Sequence, residues 1–183
     1  MDFEAVLKTL LGELERQHIR YGVIGGFALG ALGVPRATID LDFLVHREDL
    51  EQLHEVLSRL GYARQVQTEN VSHYRHAQDR WGAVDVIHAF RMFAVGMLER
   101  TRSYPVLGGT QTIQVLQPED VIGLKVQALA NNPLRRLRET TDIEALMEVH
   151  GSRLDWRRIQ EYYDIFELGE EAKRLRERFG HAQ

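Results

Sequence analysis

The sequence contains no cysteine in 183 residues, which excludes disulfide bonds, thiolate metal sites and cysteine nucleophiles. It has only four prolines and no repetitive or low-complexity linker. The uncharged apolar stretch at residues 21–35 is rich in glycine and too short to span a bilayer. The acidic start of the chain differs from the basic start of a secretory signal. We therefore expect a soluble cytoplasmic protein with no membrane association.

An excess of basic residues is also absent, since the formal net charge is −4. This balance argues against a wholly basic surface for nucleic acid, although the last third carries basic clusters at 135–138, 153–158 and 173–178. Because 44% of the residues are hydrophobic, a chain of this length can bury a core without covalent staples.

Hydrophobic periodicity separates a mixed part of the chain from a helical part. The predicted helices of the mixed part are 3–17, 27–32, 50–60 and 90–100. Its predicted strands are 21–24, 36–45, 62–66, 72–77, 83–88, 104–107 and 112–116. Helices are then predicted at 118–130, 135–149, 155–165 and 168–179. The prediction is an α+β core at 1–117 with a C-terminal helical region at 118–183 packed on it, or one continuous domain.

Two aspartates at alternate positions are the most informative feature. Residues two apart in a strand share a face, so the segment 36–45 predicts a polar face opposite an apolar face. The polar face consists of Arg36, Thr38, Asp40 and Asp42, and the apolar face of Ile39, Leu41 and Phe43. Two neighbouring carboxylates repel each other unless a cation lies between them, and such oxygens suit Mg²⁺. An exposed strand with a solvated face is the alternative.

Three features favour the metal site over the solvated strand. Aspartate is disfavoured in strands, so a pair in one strand needs a reason. A further aspartate, Asp85, interrupts the apolar strand 83–88, where an unpaired carboxylate is costly. Asp79 is a nearby competitor for the third carboxylate, and the apolar, strand-like neighbours of Asp85 favour Asp85. The pair Gly25-Gly26 follows another predicted strand, where bare backbone amides suit a phosphate, although it matches neither a Walker loop nor a dinucleotide motif.

A lysine and an aspartate lie on apolar helix faces. Lys125 interrupts the apolar stripe of the predicted helix 118–130, and Asp142 shares the apolar side of the next helix. If these helices pack antiparallel, the two side chains approach each other or a common cleft. A structural salt bridge or a lysine that extends to solvent is one interpretation; neutralisation of a triphosphate is the other.

The histidines are weaker candidates for metal ligands than the aspartates. His73 and His76 are three apart on a predicted strand and therefore face opposite sides, so we do not predict them to share a metal.

The motifs together resemble a known superfamily. Gly25-Gly26, the segment Arg36-x-Thr38-x-Asp40-x-Asp42 and the later Asp85 are similar to the signature of the nucleotidyltransferases. The stretch from Pro118 through Lys125 to Asp142 resembles more specifically the AbiEii-like abortive-infection toxins and their relatives. The similarity spans roughly residues 20–150. It implies a mixed sheet flanked by helices. One departure is that Gly26-Phe27 offers no hydroxyl where many members have serine.

The resemblance also implies roles for individual residues. The implied catalytic residues are Asp40, Asp42, Asp85, Lys125 and Asp142. Of these, the implied ligands of Mg²⁺ or Mn²⁺ are Asp40, Asp42 and Asp85. The implied binding residues for the NTP are Gly25, Gly26, Arg36, Thr38 and Lys125. Asp85 would also help to deprotonate the acceptor hydroxyl, and Asp142 would orient Lys125 or the acceptor.

The expected reaction moves a nucleoside monophosphate from an NTP such as ATP to an acceptor hydroxyl and releases pyrophosphate. The toxin-like resemblance favours tRNA or another RNA end as the acceptor and implies a possible antitoxin partner. Transfer to a small molecule or to a protein side chain is the alternative within the same chemistry. A non-catalytic binding module with the same fold is the alternative from a different class.

Overall fold

The structure, a computed structural model, describes residues 2–181, which separate into two units. The first unit comprises the residues up to Ala31 together with Arg36–Leu116. The second comprises Leu32–Pro35 and the chain from Gln117 onward.

The first unit is a seven-stranded sheet with four helices. The helices are α1 Phe3–Arg16, α2 Gly25–Ala31, α3 Leu50–Arg59 and α4 Met92–Glu99. The strands are β1 Tyr21–Ile24, β2 Leu41–His46, β3 Tyr62–Gln67, β4 Val71–His76, β5 Ala83–Ala89, β6 Arg102–Val106 and β7 Gln111–Val115. The strand order is β3-β4-β5-β2-β1-β7-β6. The sheet is mixed, because β2–β5 and β1–β7 pair in parallel and the other neighbours pair antiparallel.

Apolar spacing explains how the first unit builds its core. Helix α1 buries residues at helical spacing, namely Val6, Leu7, Leu10, Leu11 and Leu14. Its start is capped by Asp2, whose Oδ1 accepts a hydrogen bond from the Ala5 amide at 3.1 Å. In β2 the alternating residues Leu41 and Phe43 are almost fully buried, as predicted.

The predicted strand 36–45 is wrong over its first half, because β2 begins only at Leu41. The Thr38 hydroxyl donates to the Asp40 carbonyl at 3.0 Å and accepts from the Asp40 amide at 3.4 Å. A local side-chain bond of this kind competes with a strand ladder. Ile39, predicted on the apolar face, is 72% exposed. Asp40 and Asp42 therefore do not share one strand face.

The second unit is helical and contains α5 Pro118–Asn131, α6 Arg136–His150, α7 Trp156–Ile165 and α8 Gly169–Phe179. All four lie where the periodicity predicts them. The buried Tyr162 of α7 donates its hydroxyl to Asp120 of α5 at 2.6 Å, which fixes these two helices together. The predicted fold class, a mixed sheet flanked by helices with a C-terminal helical part, is confirmed. Over residues 2–181, no helix combines the length and apolarity needed to cross a membrane.

Candidate active site

Two of the predicted carboxylates lie side by side on adjacent strands of the first unit. Asp42 of β2 is the register partner of Asp85 of β5 in a parallel pair. On the other side of β2, Asp42 is paired with Ile24, the last residue of β1. Register partners on neighbouring strands project to the same face of a sheet. The sheet therefore brings the Asp42 and Asp85 carboxylates together at the end of β1, where Gly25 follows.

Gly25 makes room for the Asp42 carboxylate. Its φ is +66°, a left-handed conformation that residues with a side chain rarely adopt. A Cβ atom at this position would overlap Oδ2 of Asp42 and lie 2.5 Å from its Cγ. The bare backbone of Gly25 thus lies directly against the carboxylate, and a glycine is required for two separate reasons.

The remaining predicted nucleotide-binding residues of the first unit surround Gly26. A Cβ atom at Gly26 would lie 2.8 Å from Cβ of Thr38 and 3.5 Å from Cγ of Arg36. Thr38 in turn is hydrogen-bonded to the backbone of Asp40, which directly precedes β2. The structure therefore brings Arg36 and Thr38 against Gly26, and Thr38 is bonded to the backbone of the residue two before Asp42.

His73 belongs to this region and was not predicted there. It lies on β4 as the register partner of Asp85, and its Nδ1 is 2.7 Å from Asp85 Oδ1. His76 faces the other side and stacks on Trp81 at 5.3 Å between ring centroids, which agrees with the prediction that the two histidines diverge. Predicting the contact between His73 and Asp85 requires the register of the hairpin between β4 and β5.

The predicted pair Lys125 and Asp142 meets inside the second unit. Lys125 Nζ donates to Asp142 Oδ2 at 2.7 Å and to Glu139 Oε2 at 3.0 Å, and all three residues are buried. Glu139 was missed, although it lies three residues before Asp142 and therefore on the same helix face. One ammonium is thus compensated by two carboxylates, as a buried charge requires.

The chemistry of the site fits a magnesium ion that shares its coordination with a substrate. Mg²⁺ binds through one or two carboxylates and completes its shell with water and phosphate oxygens. The adjacent carboxylates of Asp42 and Asp85 supply such a pair. Within the described part of the chain, no three histidine, aspartate or glutamate side chains are grouped so as to hold a metal.

Solved structures of nucleotidyltransferases share this fold. The antibiotic-resistance factor ANT(2'')-Ia is 14% identical, covers 97% of this chain and 99% of its own, and has a TM-score of 0.69. The lincosamide antibiotic adenylyltransferase LnuA is 14% identical over 80% of this chain and 97% of its own, with a TM-score of 0.57. A nucleotidyltransferase-like protein from Paracoccidioides brasiliensis is 15% identical over 95% and 91%, with a TM-score of 0.58. At these identities the likeness shows the fold.

The sequence itself defines the family. The model of the family described as "Uncharacterised nucleotidyltransferase" matches residues 2–170, nearly the whole chain. The protein therefore belongs to this family of nucleotidyltransferases. A comparison with proteins of curated function finds no match.

Proposed function

We propose that the protein transfers a nucleoside monophosphate from ATP or another NTP to the hydroxyl of an acceptor. The observation that carries the proposal is the adjacent pair of carboxylates, Asp42 and Asp85, with the bare backbone of Gly25 against the first. Like charges at directly paired positions of neighbouring strands repel each other, and a divalent cation between them removes that repulsion. Family membership and fold support the same reaction class.

In this proposal the adjacent Asp42 and Asp85 would hold Mg²⁺ or Mn²⁺. Asp40 stays a predicted third ligand, since the described side chains form no group of three that could hold a metal. A bound divalent ion stabilises charge on the attacking and leaving oxygens during phosphoryl transfer. Asp85 accepts the proton of the acceptor hydroxyl, whose oxygen forms a bond to the α-phosphorus. The bond from the α-phosphorus to the bridging oxygen breaks, and pyrophosphate leaves. Gly25 and Gly26 offer backbone amides to the phosphates.

Arg36, Thr38 and Lys125 complete the proposed nucleotide-binding set. Arg36 and Thr38 lie against Gly26. The role of Lys125 at the triphosphate, with Asp142 orienting its ammonium, stays a prediction from the resemblance. The ion pairs of Lys125 are compatible with that role and also with structural stabilisation alone.

For the acceptor we propose a small hydroxylated molecule. The similarity to ANT(2'')-Ia, which is described as an antibiotic-resistance factor, covers almost the full length of both chains. Six of the ten basic residues in the clusters that suggested RNA form ion pairs. These pairs are Arg135–Glu139, Arg136–Glu171, Arg157–Glu161, Arg158–Asp155, Lys173–Glu170 and Arg178–Glu144. Paired cations attract a phosphate backbone less than free ones.

An RNA acceptor, including tRNA, is the second candidate, and it would accompany a toxin-type role of the AbiEii-like kind with an antitoxin partner. The observation that favours it is the resemblance of the segment from Pro118 to Asp142. Transfer to a protein and a non-catalytic role as a binding module are the other outcomes that the experiment below separates.

Incubation with Mg²⁺ and each α-³²P-labelled NTP tests the proposal. The acceptor arms contain aminoglycoside and lincosamide mixtures, total RNA, or lysate protein. We expect label in the small-molecule arm and a loss of about 10²- to 10⁴-fold in the Asp85→Asn variant, because a general base is removed. Asp79→Asn is the matched control, since Asp79 is an exposed aspartate of the same unit paired with Arg75.

The label also decides between the candidates. Labelled RNA would favour the toxin-type enzyme, and labelled protein would favour transfer to a side chain. Absence of label in every arm, together with absence of NTP and Mn²⁺ binding, would contradict catalysis and favour the binding module.

A further inference from the structure

We infer that His73 is a positioning residue that holds the Asp85 carboxylate for transfer, an inference that rests on the function proposed above. His73, Asp85 and Asp42 occupy one row across the adjacent strands β4, β5 and β2. A side chain at any other position of β4 is out of register with Asp85. The row therefore places a hydrogen-bond donor on the flank of Asp85 away from Asp42.

The direction of the hydrogen bond follows from the groups involved. An ionised carboxylate only accepts, so His73 Nδ1 carries the proton and donates it to Asp85 Oδ1 across 2.7 Å. Within residues 2–181, no other side-chain hydrogen bond of Asp85 is found. Oδ2 thus keeps its lone pairs for a cation or an acceptor hydroxyl, while Oδ1 is tethered.

The exposure of the pair shows that the contact is not needed to hold the sheet together. The side chains of His73 and Asp85 are 45% and 39% exposed, and an ion pair or hydrogen bond at that exposure adds little to stability. Its effect is instead on the carboxylate, whose rotation it restricts. Partners that orient a metal-ligating carboxylate commonly change metal affinity or activity by about 10- to 100-fold.

Three variants on β4 test the inference. His73→Val removes the donor and keeps a residue that favours strands. His73→Asn replaces Nδ1–H by an amide N–H at a similar reach. Arg75→Gln is the matched control, because Arg75 is an exposed residue two positions along the same strand. The substitution removes a positive charge from β4 without changing any group that contacts Asp85.

Mn²⁺ binding, followed by the EPR signal of the free ion, is the primary readout, and kcat and KM for the NTP are the second. We expect His73→Val to weaken Mn²⁺ binding by at least about tenfold and to lower kcat more than it raises KM. His73→Asn should recover most of the affinity. Arg75→Gln should bind Mn²⁺ like the wild type. Thermal melts of all four proteins should agree.

The outcomes separate this inference from the proposed function. Unchanged Mn²⁺ affinity and kcat in His73→Val, with transfer abolished in Asp85→Asn, would overturn the positioning role and leave the function standing. An equal loss in His73→Val and His73→Asn would overturn it as well, because the hydrogen bond would then not be the cause. A wild-type protein that neither binds Mn²⁺ nor transfers a nucleotide would overturn both.

Discussion

Replacing Gly25 by alanine tests the geometry of the site more directly than replacing a carboxylate. The added methyl group meets two obstacles. The backbone of Gly25 has a positive φ, and the space for Cβ is occupied by the Asp42 carboxylate. The variant therefore either flips the backbone between β1 and α2 or displaces Asp42 from the row that it shares with Asp85.

The expected magnitude follows from these two terms. A residue with a Cβ in the left-handed region costs about 1–2 kcal/mol. Moving the Asp42 side chain off its rotamer adds about 0.5–1.5 kcal/mol. Taken together, the free energy of unfolding should fall by about 2–3 kcal/mol, which for a chain of this size lowers Tm by roughly 4–12 °C.

Gly30→Ala is the matched control, since Gly30 belongs to the same helix α2 and its added methyl group would meet open space. Among the described residues, no atom beyond the neighbouring backbone of that helix lies within 4 Å of the methyl position. That variant should raise stability by roughly 0.5–1 kcal/mol, because alanine favours a helix over glycine. Calorimetry gives Tm for both variants, and the labelled-NTP assay gives transfer. A Gly25→Ala protein with wild-type Tm and wild-type Mn²⁺ affinity would refute the argument.

Two further predictions concern buried ionisable groups. Lys125→Met removes the ammonium that the buried Asp142 and Glu139 share and should lower the free energy of unfolding by about 3–5 kcal/mol in urea denaturation. Lys173→Met, at an exposed pair, should change it by less than about 1 kcal/mol. Similar losses in both variants would contradict the stabilising role of the Lys125 ion pairs. Burial lowers the pKa of His88 below its ordinary value. The hydrogen bond to the Glu69 carbonyl raises this pKa in part, and the positive charge of Arg47 lowers it further. Because the unfolded chain then binds the proton more readily, stability should be full above about pH 6.5 and fall as the pH drops through the lowered pKa. Between about pH 7.5 and 5, the free energy of unfolding measured by urea denaturation should fall less in His88→Gln than in the wild type. An equal fall in both proteins would contradict the assignment of this pH dependence to His88.

The sequence predicts the elements well wherever a side-chain period decides the structure. The helices of the second unit and the strands other than β2 follow from spacing alone. The prediction failed at residues 36–40, where the alternation of Ile39 with Leu41 and Phe43 is real but the backbone is not a strand. The Thr38 hydroxyl bonds the backbone of Asp40, and this local hydrogen bond determines the backbone conformation there in place of strand pairing. Apolar periodicity does not predict a hydrogen bond of this kind.

The residues missed by the sequence are those whose position depends on pairing between elements. Glu139 was within reach of sequence reasoning, because its helical spacing from Asp142 places it on the face that meets Lys125. His73 was not, because a shift of one residue in the β4–β5 register would move it to the opposite face from Asp85. Register is set by the whole sheet, so a single strand cannot reveal it.

The two aspartates of the Asp-x-Asp segment consequently owe their positions to different causes. Asp42 is fixed by the ladders on both sides of β2 and by the close backbone of Gly25. Asp40 stands outside the ladder and is fixed by the Thr38 hydroxyl. The regular Asp-x-Asp spacing therefore does not show that the two backbones are held by different interactions. The backbone of Asp42 is held by pairing with strands on both sides, while the backbone of Asp40 is held by hydrogen bonds to one local hydroxyl.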